Sequence, residues 1–585
     1  MRKLYADTAM GKDKADLVIK GGRLVNVITG EIYPADLAVK GDTIVYVGNV
    51  EHTVGEHTEV IDAQGRFLVP GLIDQHVHTY ESQMSVVEYA AAVLPRGVTS
   101  IVTDFYGECV VGGMKAVRES IDIAQRETPL KILFVLPMPA FYQNKPFEHT
   151  GHPDLNEMLE MMDWEECVGT NDTFGAKMIA GDPDMQVIID EAQKRNLHVC
   201  GHGSELNEME SNAWMAYVGR TDDHECGNKD EVIYKARLGM YISMRIGSGC
   251  VDLPNLCRAL AETKMDTRRF TFNTDTIAPI RIIEQGHLDS CVREAIKCGV
   301  SPVEAIRMAT INTAECVRVD EKLGSITPGK IADILLVRDL IDFDVETVIA
   351  SGKRIADNGA LVKPFKHVRY PDYAYNTVYL GRKLEAKDFQ IKATKPSHKV
   401  RVIECRTTGI ITFEDQMELE AKDGLLEADS STGLQKVASI DRIRKTGDMF
   451  CGFVKGFGLK RGAIASTFNP HNQNMMIVGT NDEDMAVAAN ALADCGGGFI
   501  IVDGGKEIAK LELPLFGLLS DKNLEEVVEK FRRLYAAAKD IGCILPEPFH
   551  NIAFMGLPVI IGNMKITPKG LVDVWKEAYI DLIIE

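Results

Sequence analysis

The stretch Gly71-Leu72-Ile73-Asp74-Gln75-His76-Val77-His78 follows Pro70 and the strand-forming run Arg66 to Val69. It reads as a buried strand that ends in two histidines. Side chains alternate faces along a strand, so His76 and His78, two residues apart, leave from the same side. Two neutral imidazoles at one strand end suit a divalent cation such as zinc, manganese or iron. A His-x-His pair is weak evidence alone, and packed or exposed histidines are the plain alternative. The company it keeps gives it weight.

From Leu68 the chain settles into an alternation of strand and helix. Apolar runs fall at 71–77, 98–103, 132–138, 173–179, 198–202, 215–219, 240–246 and 269–274, with helix-like stretches such as Met114 to Arg126 and Met185 to Arg195 between them. Eight strands alternating with helices over about 250 residues is the rhythm of a (β/α)8 TIM-like barrel, assigned here to 70–322. Before it, residues 1–14 are polar and read as loose. Short β-rich runs broken by Gly21-Gly22, Gly30 and Gly41-Asp42 then build a small sheet over 1–69. The run Ala332 to Val337 returns to strands, so 323–385 completes that small composite β-sandwich domain. Arg382 to Lys399 is charged and reads as a linker, and 400–585 forms a C-terminal α/β domain with strands at 474–478 and 499–502 and a helix at 524–539.

Composition sets limits. The chain has 585 residues, 45% hydrophobic and 26% charged, the balance of a soluble globular protein of several domains. A net charge of −20 argues against nucleic acid or an anionic membrane surface as partner. No apolar stretch approaches membrane-spanning length, and no basic-then-apolar leader opens the sequence. Thirteen scattered cysteines without a Cys-x-x-Cys pair read as reduced thiols of a cytoplasmic protein.

Barrel enzymes carry their chemistry at the carboxyl ends of the strands. Those ends hold His76 and His78 after the first strand, Lys177 near the fourth, His202 after the fifth, His224 after the sixth and Asp275 after the eighth. Four of the fourteen histidines thus fall at three predicted strand ends. Lys177 has two readings. A protonated ammonium repels cations, but a desolvated lysine could take up carbon dioxide as a carbamate and bridge two metals. The plain reading is a lysine that faces solvent or neutralises a carboxylate.

Pro70-Gly71-Leu72-Ile73-Asp74 with His76-Val77-His78, followed by Gly324-Ser325-Ile326-Thr327-Pro328-Gly329-Lys330-Ile331-Ala332-Asp333, resembles the amidohydrolase superfamily. More narrowly, nearly the whole chain resembles the bacterial adenine deaminase family. The matching stretches include Val93 to Thr99, Asp223-His224-Glu225-Cys226, Glu284 to Asp289, Gly452 to Ala465 and Val478 to Asp484. The resemblance implies a hydrolase of non-peptide C–N bonds with two divalent metal ions (Mn, Zn or Fe) sharing a bridging water. It implies that His76, His78 and Asp275 hold one ion and His202 and His224 the other, with Asp275 as general base. A small purine-like substrate and a homo-oligomer are further implications.

Three departures fall at the reacting end. Gly175-Ala176-Lys177-Met178 stands where the family carries a bridging glutamate, and a lysine there resembles hydantoinases, where it is carbamylated. Asp104-Phe105-Tyr106-Gly107-Glu108 replaces an Asp-Pro-His-Glu, keeping Asp104 and Glu108 as catalytic carboxylates and offering Phe105 and Tyr106 for stacking on a base. Pro470-His471-Asn472-Gln473-Asn474, preceded by Asn469, replaces a His-Asp-Ser-His-Asn. Amides at Asn469, Asn472 and Gln473 suit the carbonyl and N–H edges of an oxopurine. The expectation from these changes is ring-opening hydrolysis of a cyclic amide, with xanthine as the specific case; adenine deamination is the alternative, and a scaffold without catalysis the remote one. Glu81, shortly after the metal pair, is a further substrate contact by this reading.

Overall fold

The computed structural model describes residues 2–142, 153–204, 206–406, 411–470, 472–558 and 564–584. Eight short parallel strands form the barrel: β1 (Leu72–Asp74), β2 (Val98–Thr103), β3 (Lys131–Leu136), β4 (Cys167–Phe174), β5 (His198–His202), β6 (Asp222–Asp223), β7 (Tyr241–Arg245) and β8 (Phe270–Asn273). The first five pair in order as one sheet and the last three as another. Single parallel bridges, Val199 to Thr221 and Val77 to Asp275, close the circle at the two seams. The second seam places the end of β8 against the histidine pair. Asp275 N–H donates to the His76 carbonyl and His78 N–H to the Asp275 carbonyl, both at 2.9 Å.

Two expected strands differ. Residues 215–219 fall largely in the helix Glu208–Val218, and the true sixth strand has only two residues. Its end still delivers His224. The fourth strand begins earlier than its apolar pattern suggests, at Cys167, and stops at Phe174, where a short helix α1 (Gly175–Ile179) takes over. Gly175 turns the chain against Trp214, whose ring would collide with any Cβ there.

Phe67–Pro70, the strand leading into β1, belongs to a nine-stranded sheet shared by both flanks of the barrel. It pairs in parallel with Leu17–Asn26 and antiparallel with Ile334–Val337. Residues 2–9, expected to be loose, form a helix. The charged stretch 382–399 carries buried anchors, Leu384 and Phe389, that pack with the helix Asp482–Asp494.

A second nine-stranded sheet, running from Thr412–Glu420 at one edge to Lys506–Glu512 at the other, organises the C-terminal part. Its inner face and the helices α2 (Leu524–Asp540) and α3 (Pro548–Met555) join the barrel in one continuous apolar core. Backbone bonds stitch the loop after β1 to this part: Ser520 N–H donates to Gln83 and Ser85 N–H to Ser520. The C-terminal part therefore sits over the ends of the barrel strands. Among the described residues no helix is long and apolar enough to cross a membrane, and all thirteen cysteines are free thiols.

Candidate active site

At the carboxyl end of the barrel four imidazoles gather round one carboxylate, that of Asp172. Its oxygens lie 3.8 Å from His76 Nε2, 3.3 Å from His78 Nε2 and 3.3 Å from His224 Nε2. His202 completes a second cluster with Asp172 and His224. Asp275 Oδ1 approaches from β8, 3.5 Å from His76 Nε2 and 3.8 Å from His78 Nε2. The predicted ligands His76, His78, His202, His224 and Asp275 are brought together.

Lys177 is not among them. It lies half-buried on α1, five residues beyond Asp172, and among the described residues its side chain makes no hydrogen bond or ion pair to this cluster. A bulge explains the exchange. Thr170 pairs with Val199 and Thr173 with Gly201, so Asn171 and Asp172 together face the single residue Cys200. The extra residue, with Asp172 at φ +40°, swings its carboxylate into the barrel. The strand then ends three residues before Lys177 is reached.

Several of the atoms that could bind a metal have no hydrogen-bond partner among the described residues. His76 Nε2, Asp172 Oδ1, His202 Nδ1 and His224 Nδ1 are buried and without a hydrogen bond among the described residues. Buried polar atoms are normally satisfied, and imidazole nitrogens beside carboxylate oxygens are the donor set of a divalent transition metal. The residues fit such an ion. Burial and the neighbouring His76 push His224 down to about 4, which keeps it the neutral imidazole that a metal requires. Burial raises Asp172, but His76, His78 and His224 outweigh it and hold the carboxylate well below its ordinary range.

The supporting groups are equally specific. Asp104, expected to be catalytic, is fully buried and binds His78 Nδ1 at 3.2 Å, which turns Nε2 toward the centre. Asn171 Nδ2 donates to the other oxygen of Asp104 at 2.8 Å, so the bulge also braces this carboxylate. Arg245, on β7, donates to Asp275 Oδ2 at 2.9 Å and also binds Glu225 and Asp252. Its hold leaves Asp275 Oδ1 facing the histidines. Asp275 itself sits at φ +53°, a strained setting fixed by its two backbone bonds to His76 and His78.

A cavity opens beside Asp275, lined by Glu81, Gln83, Ser248 and Thr276 from the barrel and by Phe468, Phe499, Phe549 and His550 from the C-terminal part. Glu81, expected as a substrate contact, lies on this wall. Burial pushes its carboxyl up to about 8, against the pull of His78.

The other expected contacts do not reach it. Phe105 and Tyr106 are fully buried, Tyr106 against Tyr80 at 5.9 Å, and serve as packing. Glu108 is buried near the start of the helix Tyr106–Glu127, raised to about 8 by burial, and belongs to none of the metal-binding clusters. Asn469 and Asn472 donate their amides to the carbonyls of Ala553 and Gly556 at the end of α3, and Gln473 accepts from the backbone of Asn469. The Asn469 and Asn472 amides hold the end of a helix in place. His471 lies outside the described residues.

Asp172, Glu225, Arg245 and His550 are not among the site residues expected from the sequence. Asp172 and Arg245 did leave a signal, each being a charge inside an otherwise uncharged strand run.

Residues 67–355 match the amidohydrolase family, and residues 409–578 match the adenine deaminase C-terminal domain. Over 591 aligned residues the chain is 38% identical to an adenine deaminase of Clostridium botulinum (strain ATCC 19397 / Type A), covering 100% of this chain and 98% of that protein. It is also 38% identical to the adenine deaminase of Moorella thermoacetica, with the same coverage. To that of Mesorhizobium japonicum it is 36% identical, covering 99% and 96%.

Proposed function

Because the chain belongs to the adenine deaminase family of the amidohydrolase superfamily, we propose that it hydrolyses adenine to hypoxanthine and ammonia. As a member it is a metal-dependent hydrolase of non-peptide C–N bonds. The observation that carries the finer reading is identity to adenine deaminases along the full length of both partners. It supports adenine deamination better than the oxopurine ring opening expected from the sequence. Two of the amides that motivate a xanthine substrate, those of Asn469 and Asn472, donate their N–H groups to carbonyls at the end of α3, and Gln473 accepts from the backbone of Asn469. A flat heteroaromatic base also suits the cavity walled by Phe468, Phe499 and Phe549.

The reaction forms a C6–O bond and breaks the bond from C6 to the exocyclic nitrogen. His76, His78 and Asp275 would hold one divalent ion and His202 and His224 a second, with Asp172 between them in the place expected of a Lys177 carbamate. Bound there, zinc, manganese or iron supplies Lewis acidity that makes water a nucleophile near neutral pH. Asp275 Oδ1 accepts the proton of the attacking water and returns it to the departing amino nitrogen, which leaves as ammonia, while Arg245 fixes the other oxygen of Asp275. Glu81 lines the cavity and holds a proton at neutral pH that it can present to a substrate nitrogen.

The manganese-loaded protein is given adenine and xanthine separately, and the ultraviolet spectrum and free ammonia are followed together. Stoichiometric ammonia from adenine with a purine spectrum retained is the expected result. Collapse of the xanthine spectrum without stoichiometric ammonia would reverse the assignment.

A further inference from the structure

The barrel supplies the metal ligands, yet one wall of the cavity comes from a helix some 275 residues later in the chain, α3. This eight-residue helix presents Phe549 and His550 to the cavity in its first turn. His550 packs on Phe554, with ring centroids 4.3 Å apart. Beside it, at the loop after β7, Gly249 leaves room next to the imidazole: a Cβ added there would come to 3.4 Å from the ring carbon and 3.7 Å from Nε2. Its Nε2 is buried and has no hydrogen-bond partner among the described residues.

The helix is fixed by side chains aimed at its last carbonyls. Asn469 Nδ2 binds Ala553, Lys565 Nζ binds Phe554 at 2.9 Å and Asn472 Nδ2 binds Gly556 at 2.8 Å. Three buried donors on one short helix end are an expensive way to hold it if its only task is packing. Burial pushes His550 down to about 4, against the pull of Asp275, so at neutral pH the ring offers a neutral donor or acceptor to the cavity.

We propose that His550 is a specificity-determining residue whose unpartnered Nε2 hydrogen-bonds a ring nitrogen of the bound purine, so that the C-terminal part reads the base while the barrel carries out hydrolysis. This rests on the purine reading given above. A neutral imidazole can donate to N1, N3 or N7 of adenine, or accept from N9–H. Either bond discriminates sharply, because a ligand without its partner leaves a buried polar atom unsatisfied.

The test pairs a change in the protein with a change in the ligand. Inhibition or turnover constants are measured for adenine and its 1-deaza, 3-deaza, 7-deaza and 9-methyl analogues with the metal-loaded wild type, His550→Ala and His550→Gln. Metal content serves as the folding control. For His550→Ala, KM for adenine should rise about 10- to 100-fold with a smaller change in kcat, and His550→Gln should recover part of it. One analogue should bind wild type correspondingly more weakly, and that penalty should vanish in His550→Ala. Unchanged KM in a metal-replete His550→Ala, or analogue penalties identical in both proteins, would overturn the proposal. Should His550→Ala fail to fold, the same comparison between wild type and His550→Gln decides it. Wild type that neither binds nor converts adenine would remove the purine reading, and this one with it.

Discussion

The ends of β1 and β4 face each other across the same metal centre, but only one follows the arithmetic of a regular strand. At β1 the alternation of faces carries past the last paired residue, and His76 and His78 both point inward, as a spacing of two requires. At β4 the pairing gains a residue between Thr170 and Thr173. That bulge brings in Asp172 and also leaves Asn171 to brace Asp104. A spacing rule holds only while the ladder is regular, and active sites are built where ladders are interrupted.

The contrast is sharpened most by removing the carboxylate itself. Asp172→Ala should lose more than the about 10- to 100-fold typical of supporting residues, in turnover and in metal content measured by elemental analysis. Retained metal would show that the β4 bulge is incidental.

The end of β2 extends the comparison, since Glu108 is expected in the chemistry from its sequence setting and lies in the core. Its folded pKa, pushed to about 8 by burial, stands above the unfolded value of about 4.3. The stability this group allows is full below about pH 4.3, falls as pH rises through 8 and is level beyond. Glu108→Gln lacks that dependence, so the difference in unfolding free energy should widen by a few kcal/mol between about pH 4.5 and 8, at about 1.4 kcal/mol for each tenfold difference in proton affinity between the folded and unfolded chain. A difference flat across that range, or a collapse of turnover at constant stability, would return Glu108 to the chemistry.

Asp104→Ala should weaken metal binding about 10- to 100-fold while leaving the fold intact, because His78 loses the bond that sets its tautomer. Metal titration of the stripped protein reads this directly. A smaller effect is expected from Asn472→Ala, about 1 kcal/mol in denaturant unfolding, for the loss of its bond to the Gly556 carbonyl. A selective loss of purine binding at unchanged stability would put that amide back among the substrate contacts.

Much of the molecule is legible from residue pattern. The alternation of apolar runs and helices points to the barrel, and five candidate metal-ligand positions, which the structure brings together, follow from reading its strand ends. What stays hidden has physical causes. Two-residue β6 has no periodicity to detect, so the apolar pattern puts its place in the tail of a neighbouring helix. Lys177 reads as a strand end because Phe174 to Ile179 is largely apolar, although Gly175 begins a helix there to clear Trp214. Asn469 and Asn472 look like substrate contacts because their partners are backbone carbonyls 84 residues away, which no local pattern records. His550 is invisible for the same reason: its chemistry exists only once two distant parts of the chain share a core.

The most direct measurement is metal content and turnover of Lys177→Ala, purified beside wild type with and without added bicarbonate. With Asp172 as the central carboxylate, the variant should keep its metal and turn over within about threefold of wild type, as expected for a change away from the reacting groups, and bicarbonate should change neither protein. Loss of metal and activity in Lys177→Ala, with a bicarbonate requirement in wild type, would contradict the account and make the lysine carbamate the bridge.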